Sequence, residues 1–202
     1  MPTQPSHADR LLQIAQNKGL LRPSDLAELG IPRVYLTRLA ASGKLARAGR
    51  GLYRLAETTL SENEGLAIVA ARAPQAVFCL LTALQFHGLT TQLPRQVWIA
   101  LPQGSHAPRI EYPPVKLIQY SGDAFTKGIE THRMDHIDIR VYNAAKTVAD
   151  CFKHRNKIGF DVALEALKDA RSQKKASADD LWRYAKICRV ANVMRPYLEA
   201  VE

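Results

Sequence analysis

The chain has 202 residues, 47% of them hydrophobic, and carries 28 Lys and Arg against 19 Asp and Glu for a formal net charge of +9. That length accommodates one good core or two small ones, and the apolar content is normal for a soluble globular protein. The longest apolar runs, around residues 66–71 and 77–84, are far shorter than the roughly 20 residues of a membrane span. The N-terminus also has no signal-peptide apolar region, so a soluble, cytoplasmic protein without a membrane partner is expected.

The charge is uneven along the chain. Residues 1–56 hold 9 Lys and Arg against 3 Asp and Glu, residues 57–126 hold 4 against 5, and residues 127–202 hold 15 against 11. Two basic regions thus flank a neutral middle, which favours a polyanionic partner. Cys79, Cys151 and Cys188 are odd in number, widely spaced and never arranged as C-x-x-C, so they are read as small buried residues, with neither disulfide nor zinc implied.

The first helix is expected over His7 to Lys18, where Leu11, Leu12, Ile14 and Ala15 fall at helical spacing before Gly19. After Leu20-Leu21-Arg22-Pro23, Ser24 is read as the N-cap of a short second helix, Asp25 to Leu29, closed by Gly30. A third helix is expected to begin at Ile31-Pro32 and run through Arg33 to Ser42, up to Gly43. Helix, tight glycine turn and helix are the helix-turn-helix arrangement.

Each helical residue advances about 100° around the axis. Measured from Leu39, the residues Leu36, Gly43, Pro32 and Tyr35 fall within about 60° and define an inward face. The opposite face presents Arg33, Val34, Thr37, Arg38, Ala41 and Lys44. Such a set suits a DNA major groove, with Arg for guanine edges, Thr as donor or acceptor, and Val or Ala for a thymine methyl. A solvated basic face on a structural helix is the alternative. Residues 44–47 and 52–55 then read as two strands joined by Ala48-Gly49-Arg50-Gly51, a wing. Its Arg47, Arg50 and Arg54 are placed to meet phosphates or a minor groove, while Tyr53 is read as packing inward. The first domain is set at residues 1–56, a winged helix-turn-helix for binding double-stranded DNA.

The second domain is set at residues 57–202. Ser61 and Glu64 are spaced as a capping box before a helix containing Leu66, Ala67, Val69 and Ala70. Residues 77–81 read as a short strand feeding a helix from Thr82 to Phe86. Strands are expected at 96–101, 115–120, 129–134 and 137–142, and helices at 144–153, 158–173, 177–188 and 192–200. The fold class is α+β, a winged helix followed by a domain with a small sheet and a helical C-terminal part.

Motifs for catalysis are lacking in this domain. His132 and His136 have the four-residue spacing of some zinc ligands, but they lack the Glu after the first His and straddle a strand turn. Asp135 and Asp138 beside Arg140 read as a charged hairpin turn, since no Glu-x-Lys partner follows. There is no phosphate-binding glycine loop and no G-x-S-x-G serine. No catalytic residue, metal or cofactor is expected, and the chain is not read as an enzyme. The run Lys146, Lys153, His154, Arg155, Lys157, Lys168, Arg171, Lys174 and Lys175 is read either as solvated surface or as a second contact for DNA or an acidic partner.

The chain resembles the AbiEi family of antitoxins from bacterial type IV toxin-antitoxin, or abortive-infection, systems. In the first domain the resemblance rests on L-x-R-P-S-D-L-A-x-L-G-I-P-R-x-Y-L-x-R-L at Leu20 to Leu39 and on the wing Gly49-Arg50-Gly51-Leu52-Tyr53. In the second it rests on the stretch Leu81 to Leu89, LTALQFHGL, and on Val141 to Phe152, VYNAAKTVADCF. The resemblance implies that the winged helix represses the protein's own operon by binding inverted repeats in its promoter. It further implies that the C-terminal domain counters a co-encoded nucleotidyltransferase toxin, a functional partner opposed without a stable direct complex. His87 lies in one of these motifs and is read as structural, because Gly88 follows as a helix stop. Two other functions stay open: a DNA-targeted nuclease or nucleotide-modifying enzyme, and a winged-helix protein-interaction module.

Overall fold

The computed structural model describes residues 6–57, 64–134 and 137–200. They fall into two compact units. The first takes the described residues of Met1–Pro74, Ile110–Pro113 and Arg133–Ile139, and the second those of Gln75–Arg109, Pro114–His132 and Arg140–Glu202.

In the first unit, α1 spans His7–Lys18 as its apolar spacing predicts, and it starts on a capping box. The Asp9 N–H donates to Ser6 Oγ at 3.2 Å, and the Ser6 N–H donates back to the Asp9 carboxylate at 3.2 Å. Helix α2 spans Pro23–Glu28, which corrects the expected cap at Ser24. Proline has no N–H to satisfy and suits the first helical position. Asp25 supplies the cap instead, accepting the Arg22 N–H at 2.8 Å.

Helix α3 is shorter than expected, spanning Val34–Ala41. Tyr35 and Leu36 donate to the carbonyls of Pro32 and Arg33, three residues back, so the chain enters through a turn before α-helical bonding starts. Pro32 and Gly43 therefore lie outside the helix, where the 100° rule does not hold, and both are exposed. Leu36 and Leu39 do point inward and are buried. They join Leu11, Ala15, Leu26 and Ile31 in one core.

Strands β1 (Leu45–Gly49) and β2 (Leu52–Leu55) form the antiparallel wing, with Arg47 opposite Tyr53 and a bulge between Arg47 and Gly49. A pairing not anticipated from sequence ties Leu21 to this hairpin. Leu21 and Tyr53 exchange both backbone hydrogen bonds, at 2.7 and 3.0 Å. Helix α4 (Glu64–Arg72) packs on the wing, with Ile68 and Ala71 meeting Leu52. The expected cap of that helix at Ser61 lies outside the described residues.

The second unit carries most of a mixed five-stranded sheet of order β5-β4-β3-β7-β6. Its strands are β3 (Val77–Phe78), β4 (Val97–Pro102), β5 (Val115–Tyr120), β6 (Ile129–Met134) and β7 (Ile137–Tyr142). β3 runs antiparallel to β4 and parallel to β7, and β4 runs parallel to β5. The expected strand over 77–81 is cut to two residues. The Cys79 N–H still donates to Trp98, but α5 (Leu80–Phe86) has begun by the next residue. A four-residue helix α6 (Asp123–Thr126) also lies between β5 and β6.

Helix α7 (Ala144–Lys153) is buried along nine residues, Ala144 to Phe152, and contacts α5. It also packs against α9 (Phe160–Ser172), α10 (Ala178–Ile187) and α11 (Ala191–Glu199). Its alanines let these helices approach closely. The helix expected over 158–173 starts later, as α9 at Phe160, after Gly159, whose φ of +99° an L side chain rarely adopts, and a short unexpected helix α8 (Arg155–Ile158) precedes it. All three cysteines are buried free thiols, as read from their spacing.

Lys146, assigned from sequence to a basic surface, belongs instead to the core. Its side chain is fully buried, and Nζ lies 2.5 Å from Asp150 Oδ2, one helical turn on. The ammonium also sits 4.1 Å from the ring centroid of Tyr142 and 4.6 Å from that of Tyr120. A buried cation needs such partners, because desolvation without them is prohibitive.

Candidate nucleic-acid interface

The turn at Pro32 and the two buried leucines of α3 fix which of its sides faces outward. Arg33, Val34, Thr37, Arg38 and Ala41 are all exposed, as is Lys44 where the chain leaves for the wing. Val34 is 47% exposed, an apolar side chain turned to solvent. The face thus offers two guanidiniums, an ammonium, a hydroxyl and two small apolar groups, without an acidic residue among them. Asp9 lies close enough to Lys44 to feel its charge, although the hydrogen bonds from Ser6 do most to hold that carboxyl below its ordinary range.

Two of the cations rest on aromatic rings. The Arg38 guanidinium is 5.7 Å from the Tyr35 ring centroid, and that of Arg47 is 5.9 Å from Tyr53. Tyr53 is buried, as its inward assignment requires. Tyr35 is half-buried, packing against the core while supporting Arg38. Arg47 and Arg50 are exposed on the wing. Arg54 differs. Its Nε lies 3.1 Å from Glu64 Oε1 at the start of α4, and its Nη1 donates to the Leu55 carbonyl at 3.1 Å.

Residues 9–56, which contain all of these groups, match the family model described as "Transcriptional regulator, AbiEi antitoxin". Over this stretch the chain is similar to the regulator domain of AbiEi antitoxins. Among solved structures, the chain is similar to the RV2827C protein from Mycobacterium tuberculosis, with a TM-score of 0.62 at 16% identity. That superposition covers 90% of this chain and 72% of the other, and at such identity it shows a shared α+β fold. No curated protein matches the sequence.

The second unit has a pocket of about 440 Å³ lined by Phe86, His87, Glu130, Asn143, Lys175 and Asp180. Here the LTALQFHGL and VYNAAKTVADCF stretches meet, since His87 Nε2 lies 2.7 Å from the Tyr142 carbonyl. Burial holds the His87 imidazole below its ordinary pKa, so Nε2–H donates from a neutral ring. Lys175 Nζ donates to the His87 carbonyl. These bonds tie the end of α5, β7 and the connection between α9 and α10 together, consistent with the structural role read for His87.

His132 Nε2 lies 3.3 Å from Glu130, and Asp138 pairs with Arg133 at 3.7 Å. Their sequence partners His136 and Asp135 lie outside the described residues. Among the described residues no three His, Cys, Asp or Glu converge to hold a metal ion, and no helix is long and apolar enough to cross a membrane.

Proposed function

We propose that this protein is a DNA-binding transcriptional autorepressor and antitoxin that counters a co-encoded nucleotidyltransferase toxin. The carrying observation is the outer side of α3, where Thr37 and Arg38 stand exposed on a helix anchored by Leu36 and Leu39 and Arg33 is exposed at its N-cap. In this reading α3 enters the major groove of a promoter inverted repeat. Arg33 and Arg38 reach base edges there, with Val34 and Ala41 against thymine methyls and Thr37 and Lys44 completing the contact. Arg47 and Arg50 of the wing meet the flanking phosphates.

The match of residues 9–56 to the regulator model supports the DNA-binding half of the reading. The antitoxin half rests on the family description and on the second-domain motifs. A domain boundary near residue 57 divides the two activities. A reporter driven by the gene's own upstream region tests repression, and co-expression with a neighbouring nucleotidyltransferase gene tests rescue of growth. Unrepressed reporter output, or growth arrest unrelieved by this protein, would reject the corresponding half.

A further inference from the structure

Arg38 and Tyr35 are three residues apart on α3, the spacing at which side chains on one helix become neighbours. The ring is held from below by the three-helix core and from the side by His7, whose ring centroid lies 5.3 Å away at 58°. The exposed guanidinium lies over this fixed platform at 5.7 Å. Arg33, the other arginine of the outer face, has no such ring contact among the described residues.

We propose that Tyr35 is a positioning residue for sequence readout, holding the Arg38 guanidinium in the orientation that forks onto a purine edge, guanine O6 and N7. This rests on the DNA-binding reading above. An exposed arginine surrenders considerable rotamer freedom when it docks bidentately. A ring beneath the guanidinium removes part of that freedom beforehand and keeps its plane in a preferred setting. Tyr35 never touches the base. Its contribution is therefore to discrimination, while phosphate contacts from the wing are left as they are.

The test is selection from a pool of randomised duplexes, sequenced before and after binding to the full chain. Wild type is expected to enrich a motif containing a guanine, and Tyr35→Leu to flatten that one position by about two- to fivefold. Tyr35→Phe, which keeps the ring, should retain the preference. In an Arg38→Ala background Tyr35→Leu should add nothing, and affinity for a non-selected duplex should not change. If Tyr35→Leu loses cooperative melting, Tyr35→Met supplies the same measurement with apolar volume preserved. Equal losses on selected and non-selected DNA, an undiminished effect without Arg38, or an unflattened motif would overturn the positioning role alone. A wild type that enriches no sequence would overturn both this role and the DNA-binding reading.

Discussion

Lys146 Nζ and Asp150 Oδ2 stand 2.5 Å apart with neither side chain exposed, at the centre of the helical layer of the second unit. Asp150 has a second partner, since the Cys188 thiol donates to its other oxygen at 3.2 Å. Removing one member of a buried pair leaves an uncompensated charge, which costs about 3–5 kcal/mol. Asp150→Ala is expected to destabilise by that amount in urea titration. The double variant Lys146→Met with Asp150→Leu should recover most of the loss, because apolar replacements leave no charge to desolvate. A double variant as unstable as the single one would show that geometry, not charge, is what the site requires.

Gly128 closes over the same lysine. At its φ of +81° a Cβ would lie 2.8 Å from Lys146 Cβ and 3.1 Å from Tyr184 Cε1. Gly128→Ala combines left-handed backbone strain with overpacking of a rigid core, roughly 2–4 kcal/mol in all. Thermal unfolding checks this. A melting temperature within a degree of wild type would mean that the contact relaxes freely.

Why the lysine was misplaced from sequence, while so much else was legible, follows from the range of each signal. Helix α1, the strands β5, β6 and β7 and helix α7 agree with their expected spans, because alternation, capping residues and helical spacing are local. The exposure of Val34, Thr37, Arg38 and Ala41 opposite Leu36 and Leu39 is equally local. The pairing of Leu21 with Tyr53 was not, since strand partners leave no mark in a two-residue segment. Lys146 reads as surface by its charge, yet the helix around it, AAKTVADCF, is otherwise apolar with Asp four residues on. That spacing was the available clue. The rings of Tyr120 and Tyr142 that complete the site come from other elements, and only tertiary packing brings them there. Pro32 misled in a different way, because a proline tolerated at a helix start also serves in the turn before it.

Two histidines make stability depend on pH. Burial holds both His87 and His154 below the ordinary histidine pKa. The unfolded chain therefore binds their protons first, near pH 6.5, while the folded chain resists protonation. Stability is complete above that value and is lost as pH falls toward the lowered folded pKa values, by at most about 1.4 kcal/mol per group per pH unit. Urea midpoints measured from pH 8 down to pH 5 should decline below about 6.5. His87→Gln retains a donor for the Tyr142 carbonyl and should shallow the decline. Equal slopes for variant and wild type would remove His87 from this account.

Two of the three wing arginines, Arg50 and Arg54, should separate by assay. Arg50 is exposed at the hairpin turn, whereas Arg54 has a 17% exposed side chain bonded to Glu64 on α4. Arg50→Ala is expected to leave melting unchanged and to lower the slope of log affinity against log salt by about 0.9, one phosphate contact. Arg54→Ala should instead destabilise by roughly 1 kcal/mol, the scale of a partly exposed ion pair and its hydrogen bond. Its salt slope should stay nearer wild type. A full phosphate's worth of slope lost from Arg54→Ala would mean that Glu64 yields its partner to DNA.

The outer face of α3 should behave differently from both. Base contacts discriminate sequence, whereas phosphate contacts raise affinity for every duplex alike. Arg33→Ala with Arg38→Ala is therefore expected to reduce preference for the upstream region over a scrambled duplex by at least tenfold, since each bidentate pair supplies roughly 1–3 kcal/mol of discrimination. Residual binding should remain, carried by Lys44, Arg47 and Arg50, and should weaken steeply with salt. Because both arginines are exposed and Leu36 and Leu39 still anchor the helix, the melting temperature should hold. Gel-shift titration against the two duplexes at several salt concentrations distinguishes these effects. An unchanged preference in the double variant would move sequence readout off α3, leaving the wing as the candidate reader.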